Sequence, residues 1–358
     1  MLGVYIHIPF CKKICNYCDF CKIYYACGNV SKYLDSLELE IKSRYKDEYV
    51  DTIYIGGGTP SCLSISELER LFDIVKIFKL KDKYEFTIEC NIESIDEDKL
   101  KLFKDNGVNR ISFGVESFDK DILKILGRYH DEEMVFKNIE LSKKYFNNIN
   151  IDLIYGVNSD IEIVKNDIEK FLKLDISHIS CYSLILEENT KLYIDRHEYI
   201  DEDIDYEMFK YINDILVKNG YKHYEISNYA KEGYESKHNL TYWNNEEYYG
   251  FGVGAHGYIN SMRYENTRSL NKYIKGNYRL EELLVSNQEE MENEIILGLR
   301  KLKGISVSEF EKKYQRSIFE AFNLEKAILK SYLVQKGDYL YIPEDKIYIM
   351  NEIINMIM

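Results

Sequence analysis

The sequence predicts an α/β protein built on an incomplete parallel (β/α)6 barrel, followed by a small winged-helix-like domain. Six short runs rich in β-branched and aromatic residues alternate with segments of helical periodicity, which is typical of a parallel sheet. After the sixth run the pattern changes, and the chain ends in three helical segments and a short β segment. At 358 residues the chain is long enough for more than one domain.

The strands are predicted from their composition and from the turn residues that bound them. We expect them at Val4–Ile8, Thr52–Ile55, Glu85–Glu89, Arg110–Gly114, Asn150–Tyr155 and His178–Leu184. In a parallel barrel the carboxyl ends of the strands lie at one face, and the chemistry of such proteins is found there.

Helices are predicted between the strands from apolar spacing and capping residues. The first is indicated by one apolar stripe, formed by Leu34, Leu37, Ile41 and Tyr45. The second begins at a capping Ser66, and Gly107 ends the third. Later helices are expected at Asp119–Leu126, Met134–Tyr145, Ile161–Leu174 and Ile204–Val217.

Three domains follow from these changes of pattern. We predict a barrel over residues 1–220, an extension rich in Tyr, Asn, Gly and His over 221–270, and a C-terminal winged-helix-like domain over 271–358. A β segment at Tyr339–Ile342 belongs to the last domain.

Composition excludes several classes of partner. The chain carries 47 basic and 61 acidic side chains, a net charge of −14, which disfavours nucleic acid as a ligand. No run has the ~20 apolar residues of a membrane span, and the first residues lack the pattern of a signal peptide. We therefore expect a cytoplasmic protein, in which closely spaced cysteines bind metals more often than they form disulfides.

Three cysteines directly follow the first strand. Cys11, Cys15 and Cys18 are spaced so that one loop can surround a small inorganic centre. Three thiolates are one ligand short of a closed zinc site or a fully ligated iron–sulfur cluster. The residues alone leave two interpretations: a zinc site completed by His7 or Cys21, or a cluster with one open corner.

The pattern Cys11-x3-Cys15-x2-Cys18, with the flanks Tyr5–Phe10 and Asp19-Phe20, resembles the signature of the radical S-adenosylmethionine (SAM) superfamily. The resemblance implies that the three thiolates hold three irons of a 4Fe-4S cluster, and that SAM occupies the fourth iron. An electron from the cluster then cleaves SAM to a 5′-deoxyadenosyl radical.

Polar and flexible residues at other strand ends complete the expected site. The glycines of Gly56–Pro60 follow the second strand and allow backbone to approach a ligand closely. Three carboxylates, Glu89, Glu116 and Asp152, are expected at the same face, where ribose hydroxyls and a cation pair with Arg128 would satisfy them.

These segments together resemble the proteins similar to oxygen-independent coproporphyrinogen III oxidase. The resemblance implies that SAM is contacted by Tyr5, Tyr17, Gly57, Gly58, Thr59, Glu89, Glu116, Arg128 and Asp152. The chain departs from that family in having Glu116 where Gln is usual, and Ile92 and Asn158 where Pro is common.

Two features separate the chain from the oxidase itself: Phe20 stands where the oxidase has a further cysteine, and the first strand already begins at residue 4. The segments Tyr224–Ala230, His238–Trp243 and Tyr249–Gly257 instead resemble the haem chaperone branch, HemW.

The motif His238–Trp243 also suggests where haem would bind. An imidazole can ligate haem iron and aromatic rings can stack on the macrocycle, so His238, Tyr242 and the only tryptophan, Trp243, are candidate haem contacts. A hydrogen-bonded structural role for His238 is the alternative, and His256 competes for the role of ligand.

The sequence thus favours a radical SAM haem chaperone that delivers haem to recipient proteins and receives electrons from a donor. Whether it is an enzyme stays open, as do a dimer and a transient contact with a membrane protein. Two alternatives remain: coproporphyrinogen III oxidation and a structural zinc protein.

Overall fold

The computed structural model describes residues 1–25 and 27–358. Its strands are β1 (Gly3–Ile8), β2 (Phe10–Cys11), β3 (Ile23–Tyr24), β4 (Tyr49–Gly57), β5 (Lys79–Asn91), β6 (Arg110–Glu116), β7 (Asn148–Tyr155), β8 (His178–Ser183), β9 (Lys222–Glu225), β10 (Asn228–Ala230), β11 (Tyr248–Phe251), β12 (His256–Ile259), β13 (Met262–Asn266), β14 (Arg279–Leu284), β15 (Ile305–Ser306), β16 (Val334–Lys336) and β17 (Tyr339–Tyr341).

The helices alternate with these strands. They are α1 (Cys27–Arg44), α2 (Ile65–Val75), α3 (Glu97–Asp105), α4 (Lys120–Leu126), α5 (Glu132–Lys143), α6 (Ile161–Leu174), α7 (Lys191–Ile194), α8 (Glu202–Lys218), α9 (Lys237–Trp243), α10 (Leu270–Ile274), α11 (Asn287–Gly298), α12 (Val307–Tyr314), α13 (Ile318–Ala321), α14 (Glu325–Leu329) and α15 (Met350–Ile357). Short 3-10 turns lie at Pro60–Cys62, Ile92–Ser94 and Glu344–Ile349.

The predicted parallel barrel is confirmed. Strands β1, β4, β5, β6, β7 and β8 are the six predicted ones, and they pair side by side in parallel. Each connection between them contains at least one helix, as a parallel sheet requires. The sheet reaches 12 strands because β11 to β14 extend the edge at β1, and β10 and β9 extend the edge at β8. These added strands are short, and the sequence did not resolve them.

The helix predictions hold apart from one cap. Helices α4, α5, α6 and α8 lie within a few residues of the predicted ranges, and Asp119 caps α4 as its sequence position suggests. The predicted cap at Ser66 is wrong. Ser64 is the extended residue whose hydroxyl accepts from the Glu67 N–H, and Glu67 returns a bond in a capping box. Ser66 lies inside the first turn of α2.

The described residues form three hydrophobic clusters. The barrel core joins the outer face of the sheet to α1, α2, α3, α5, α6 and α8. A second core lies within residues 291–357, as expected for a winged-helix-like domain, and a small third cluster packs α4 against Val157, Leu184 and Leu192. This domain carries a sheet in the order β15-β17-β16, which includes the predicted β segment. The domain boundaries at 220 and 270 stay predictions. Of the helices in the described part of the chain, none has both the length and the apolar character to cross a membrane.

Helix α9 lies under the barrel, at the amino-terminal end of the strands. The His238 imidazole approaches Gly3, the first residue of β1, and Nδ1 of His238 lies 2.8 Å from Oγ1 of Thr52 on β4. The backbone N–H groups of Lys237 and His238 donate to the Glu85 carboxylate, both at 3.0 Å. The motif that the sequence analysis connected with haem therefore forms the floor of the barrel.

Candidate functional site

A cavity of about 430 Å³ opens at the carboxyl ends of the barrel strands. It brings together the three predicted metal-binding cysteines and, except for Tyr5, all residues predicted to contact SAM. These lining residues are Cys11, Cys15, Tyr17, Cys18, Gly57, Gly58, Thr59, Glu89, Glu116, Arg128 and Asp152. The Tyr5 hydroxyl instead lies 2.9 Å from Nδ1 of His7, beneath residues 9–21, which carry the cysteines and are called the cysteine segment below.

The segment that carries the cysteines is anchored to the end of α4. The Asn16 backbone N–H donates to the Leu126 carbonyl at 2.9 Å, and its side-chain amide donates to the Ile125 carbonyl at 2.8 Å. Gly127 ends α4 with a φ of 77°, and a Cβ there would lie 3.0 Å from the Asn16 side chain. Because only glycine fits both demands, Gly127 fixes Cys15 and Cys18 against the barrel.

The three thiols differ in burial. Cys11 is buried on β2, whereas Cys15 and Cys18 are half-buried. Burial raises the pKa of the Cys11 thiol to about 11, and it also raises the pKa of Cys18. The Thr59 hydroxyl donates to the Cys11 sulfur at 3.7 Å and opposes this shift of the Cys11 pKa. Since metals bind thiolates, a bound metal must displace these protons.

The donor set fits an iron–sulfur cluster. Within residues 1–25 and 27–358, no three His, Cys, Asp or Glu side chains are grouped closely enough for a single metal ion. A four-iron cluster makes a different demand, because each thiolate binds its own iron. Cys90 also borders the cavity. Strand alternation turns its side chain to the opposite face of β5 from Glu89, however, and burial raises its pKa far above that of a free thiol.

The glycines after β4 serve the packing of the cysteine segment. Gly57 has a φ of 111°, and a Cβ there would lie 2.5 Å from the His7 ring. A Cβ on Gly58 would lie 2.7 Å from the Pro9 carbonyl carbon and 2.9 Å from the Cys11 sulfur. The close approach predicted for a ligand is thus made to His7 of β1 and to Pro9 and Cys11. Both glycines still line the cavity.

The carboxyl groups in the cavity are poorly solvated. The Tyr54 hydroxyl donates to Glu89 at 2.6 Å, and the Tyr17 hydroxyl donates to Glu116 at 2.7 Å. Burial raises the pKa of both Glu89 and Glu116 to about 7. Burial also raises the pKa of Asp152. A pKa of about 7 lets a carboxyl group change its protonation near neutral pH when a ligand binds.

Arg128 joins the barrel to the cysteines. Its Nη1 donates to Asn91 Oδ1 at 3.1 Å and to the Cys15 sulfur at 3.4 Å, and its Nη2 donates to the Gly114 carbonyl. The expected cation pair with a carboxylate is therefore replaced by these three contacts. The nearby positive charge still lowers the pKa of Glu116, against the larger effect of burial.

Glu116 lines the cavity beside a bulge at the end of β6. The pairing register between β6 and β7 shifts between Gly114 and Glu116, and Glu116 has a φ of 68°. A positive φ is unfavourable for a residue with a side chain and costs about 1 kcal/mol or more. Sequence alternation alone could not have predicted this bulge, because a strand normally continues with period two.

The candidate haem histidine lies outside the cavity. His238 is 1% exposed, and Nδ1 lies 2.8 Å from Thr52 Oγ1 while Nε2 lies 2.7 Å from the Tyr242 hydroxyl. Its ring stacks on Tyr54, with ring centroids 5.1 Å apart. Burial lowers the pKa of His238 to about 3, so the ring is neutral. A haem iron at His238 would have to displace Thr52 or Tyr242.

The other aromatic residues of this motif are also enclosed. Trp243 is half-buried, and the Arg300 guanidinium lies 5.6 Å from the centre of its ring. The indole N–H faces the buried Glu225 carboxyl group, and this interaction lowers the pKa of Glu225 against the larger effect of burial. The competing histidine, His256, is exposed at the start of β12, and its Nε2 lies 3.7 Å from Glu265.

The additional ligands considered for zinc have other partners. Nε2 of His7 lies 2.6 Å from the Cys21 carbonyl oxygen, and Nδ1 faces the Tyr5 hydroxyl. The Cys21 thiol lies 3.6 Å from the Arg268 carbonyl oxygen. These contacts hold the His7 ring of β1 against the Cys21 backbone.

Three residues of the cavity were not singled out from the sequence. Asn91 donates to Thr59 and accepts from Arg128, and it follows Glu89 by two residues on β5. This spacing of two could have identified it. Arg110 begins the predicted strand β6, and its spacing of two from Ser112 could likewise have identified it. Asn239 could not have been found from spacing, because α9 meets the barrel only in the folded chain.

Comparisons with known proteins agree with this geometry. The family model of the radical SAM superfamily matches residues 5–168, and that of the HemN C-terminal domain matches residues 285–345. The heme chaperone HemW of Lactococcus lactis is 45% identical over 88% of this chain and 86% of its own length. Heme chaperone HemW proteins of Bacillus subtilis and Escherichia coli are 40% and 32% identical, over 98% and 99% of this chain and 96% and 97% of their own lengths.

A solved structure extends the likeness to the fold. Coproporphyrinogen III oxidase (HemN) from Escherichia coli, described as a radical SAM enzyme, superimposes with a TM-score of 0.87. The match covers 99% of this chain and 89% of the other, at 21% identity. At this identity the likeness shows the shared fold.

Proposed function

Because this chain belongs to the radical SAM superfamily and, within it, to the family of HemW heme chaperones, we propose that it binds haem and delivers it to recipient proteins. One observation carries the proposal. The identity to heme chaperones is 40% over 98% of the chain, so it includes the cysteine segment, α9 and the C-terminal domain together.

We further propose that the cavity holds a 4Fe-4S cluster and SAM. Cys11, Cys15 and Cys18 would each bind one iron, and the fourth iron would face SAM. When bound, the cluster supplies an electron that can cleave SAM. The support is the donor set: three thiols in one cavity, beside carboxyl groups and hydroxyls suited to an amino acid and a ribose.

The chain's own residues would orient SAM and exclude water. Arg128 donates to Cys15 and would stabilise its thiolate through a charge-assisted hydrogen bond. Glu89 and Glu116, with pKa values raised to about 7 by burial, would accept hydrogen bonds from ribose once they are ionised. Asp152 lies deeper, held by Asn150 at 2.9 Å.

For haem, the candidate contacts remain His238, Tyr242 and Trp243. In support, these three side chains lie within about one and a half turns of α9, and His238 is neutral, as an iron ligand must be. Ligation would require Tyr242 to give up its contact with Nε2. His256 is the exposed alternative and needs no such exchange.

Hemin titration of the purified protein tests the proposal. We expect a saturable change of the hemin absorption spectrum at about one hemin per chain. Bovine serum albumin and heat-unfolded protein control for nonspecific binding. If the folded and the unfolded chain give the same non-saturating spectrum, the haem chaperone proposal is wrong.

The alternative is coproporphyrinogen III oxidation, which the fold shared with HemN supports. Phe20 argues against it. Its side chain is 65% exposed at the mouth of the cavity, where the oxidase pattern has a further cysteine. Anaerobic metal analysis distinguishes a structural zinc site from an iron–sulfur cluster, because about one zinc and no iron per chain would exclude the cluster.

The proposal also names the partners of the protein. Recipient proteins would take up haem, and a reductant would supply electrons to the cluster. A cytoplasmic location, a dimer and a transient contact with a membrane protein are proposed with them, and the acidic charge of −14 supports the expectation that nucleic acid is not a partner.

A further inference from the structure

A buried arginine at the bottom of the cavity has no hydrogen-bond partner among the residues that the structure describes. Arg110 is 2% exposed and borders the cavity. Its Nε is buried without a hydrogen-bond acceptor, and its guanidinium forms no hydrogen bond or ion pair within the part of the chain that the structure describes. A buried charge without a partner is unfavourable, so this guanidinium calls for a ligand or for ordered water.

The strand geometry directs Arg110 into the barrel. Arg110 is the first residue of β6, and Ser112 and Gly114, two and four positions further, line the same cavity. Side chains two residues apart lie on one face of a strand, so Arg110 is on the inner face at the amino-terminal end. Thr87 is its neighbour on β5 in the pairing register, and the buried Thr87 hydroxyl has no hydrogen-bond partner in residues 1–25 and 27–358 either.

The nearby carboxyl groups do not neutralise Arg110 by direct contact. Glu89 accepts from the Tyr54 hydroxyl and the Gly57 N–H, and Asp152 accepts from Asn150 and Ser112. The charge of Arg110 lowers the pKa of both carboxyl groups, after burial and their hydrogen bonds, so it is close to them. The N–H groups of the Arg110 guanidinium therefore remain available to donate hydrogen bonds to another acceptor.

A second hydrogen-bond donor is found on α9, at the floor of the barrel. Asn239 of α9 lines the same cavity, and its side-chain amide has no hydrogen bond within the described residues. It is the neighbour of His238, whose own side chain faces Thr52 and Tyr242. Of the residues in this helical motif, Asn239 is therefore the one that faces the cavity.

We propose that Arg110 and Asn239 form a carboxylate-binding subsite at the floor of the barrel, below the cavity mouth that carries the cysteines. A carboxylate matches the planar fork of a guanidinium with two parallel hydrogen bonds. It carries one negative charge, and so meets less repulsion from Glu89 and Asp152 than a phosphate would. The carboxylate comes either from a small free acid or from a propionate arm of a tetrapyrrole, and the second source rests on the proposed haem function.

Trp243 offers a direct reporter, because it is the only tryptophan and lies four residues from Asn239 on α9. Apo-protein is titrated with sodium propionate while Trp243 fluorescence is followed, with sodium chloride as the ionic-strength control. We expect saturation that is at least about tenfold weaker in Arg110→Met and about threefold or more weaker in Asn239→Ala. Arg316→Met removes an exposed arginine and should leave the titration unchanged.

The proposal is overturned if the parent protein shows no saturable response, or if Arg110→Met responds like the parent, because water then satisfies Arg110. If Arg110→Met does not fold, Arg110→Lys keeps the charge without the fork. Arg110→Lys and Asn239→Ala, as two single variants, must then each bind propionate more weakly than the parent protein.

Hemin and its dimethyl ester distinguish the sources. A loss of affinity in Arg110→Met for hemin alone identifies a propionate arm, and equal affinity for both identifies a free acid. If neither porphyrin binds any variant, the haem proposal fails, and the propionate titration still decides the subsite.

Discussion

The Arg128 guanidinium lies 3.4 Å from the Cys15 sulfur and donates a hydrogen bond to it. The same side chain is 7% exposed and also binds Asn91 and the Gly114 carbonyl, so β5, β6 and the cysteine segment meet at one cation. This contact connects the barrel to the predicted cluster. Its energetic effect on a bound cluster is measurable.

Removing this cation should make the cluster harder to reduce. We expect Arg128→Met to lower the reduction potential of the reconstituted cluster by about 60 mV or more, which corresponds to about 1.4 kcal/mol for one electron. Arg128→Lys keeps the charge and should lie between the two proteins. Potentiometric titration followed by EPR measures the shift. An unchanged potential in Arg128→Met would show that Arg128 does not contact the cluster.

SAM affinity should increase with pH across neutrality. The pKa values of Glu89 and Glu116 are raised to about 7 by burial, so both groups are protonated below that pH and ionised above it. Only the ionised form can accept two ribose hydrogen bonds and balance the sulfonium charge. Equilibrium binding of SAM between pH 6 and 8 measures the effect. Glu116→Gln should flatten this pH dependence, and an identical slope in the variant would contradict the role of Glu116.

Glu225 should make the protein less stable as the pH rises. Burial raises its pKa from 4.5 to about 8, so the folded state holds the proton more tightly than the unfolded state. The associated stability is present below about pH 4.5 and is lost as the pH rises through 8, at up to about 1.4 kcal/mol per pH unit. Glu225→Gln keeps the acceptor for the Ser227 N–H and removes the titration.

Urea unfolding of the apo-protein at pH 5 and pH 8 measures this effect. We expect Glu225→Gln to be more stable than the parent by a few kcal/mol at pH 8 and nearly equal to it at pH 5. The exposed Glu281→Gln should follow the parent at both values. If Glu225→Gln and the parent lose stability equally, the carboxyl group is ionised in the folded state throughout.

Tyr242 provides a test of haem ligation that does not remove the histidine. Tyr242→Phe deletes the hydroxyl 2.7 Å from Nε2 of His238 and leaves the contact with Thr52. If His238 ligates haem iron, hemin should bind Tyr242→Phe at least as tightly as the parent, because a competing partner is gone. His238→Ala should then weaken binding tenfold or more. Equal affinity in His238→Ala and a loss in His256→Ala would instead assign the ligand to His256.

Much of the fold could be predicted because the barrel strands are runs rich in β-branched and aromatic residues, separated by amphipathic helices. The short strands β9 to β13 could not, since they contain many Tyr, Gly and Asn residues and are stabilised mainly by pairing with neighbours already in the sheet. The cap at Ser64 was missed because Ser66 offers the same side chain two residues later, and only backbone conformation decides between them.

Site residues that belong to one local motif were predicted from the sequence. Site residues that come from distant segments of the chain were missed. Cys11, Cys15 and Cys18 lie within one loop, so their spacing sufficed. Arg110 and Asn239 are separated by more than a hundred residues and come together only when α9 closes the barrel. The enclosure of His238 by Thr52 and Tyr54 likewise depends on that long-range packing.

The most direct measurement uses the anaerobically reconstituted protein with SAM and a reductant. Hemin is added to one sample and coproporphyrinogen III to another. We predict iron and sulfide at about four each per chain, saturable binding of hemin, and no vinyl product beyond a single turnover. Multiple turnovers of coproporphyrinogen III to vinyl product, without saturable binding of hemin, would contradict the account and assign the chain to oxidation.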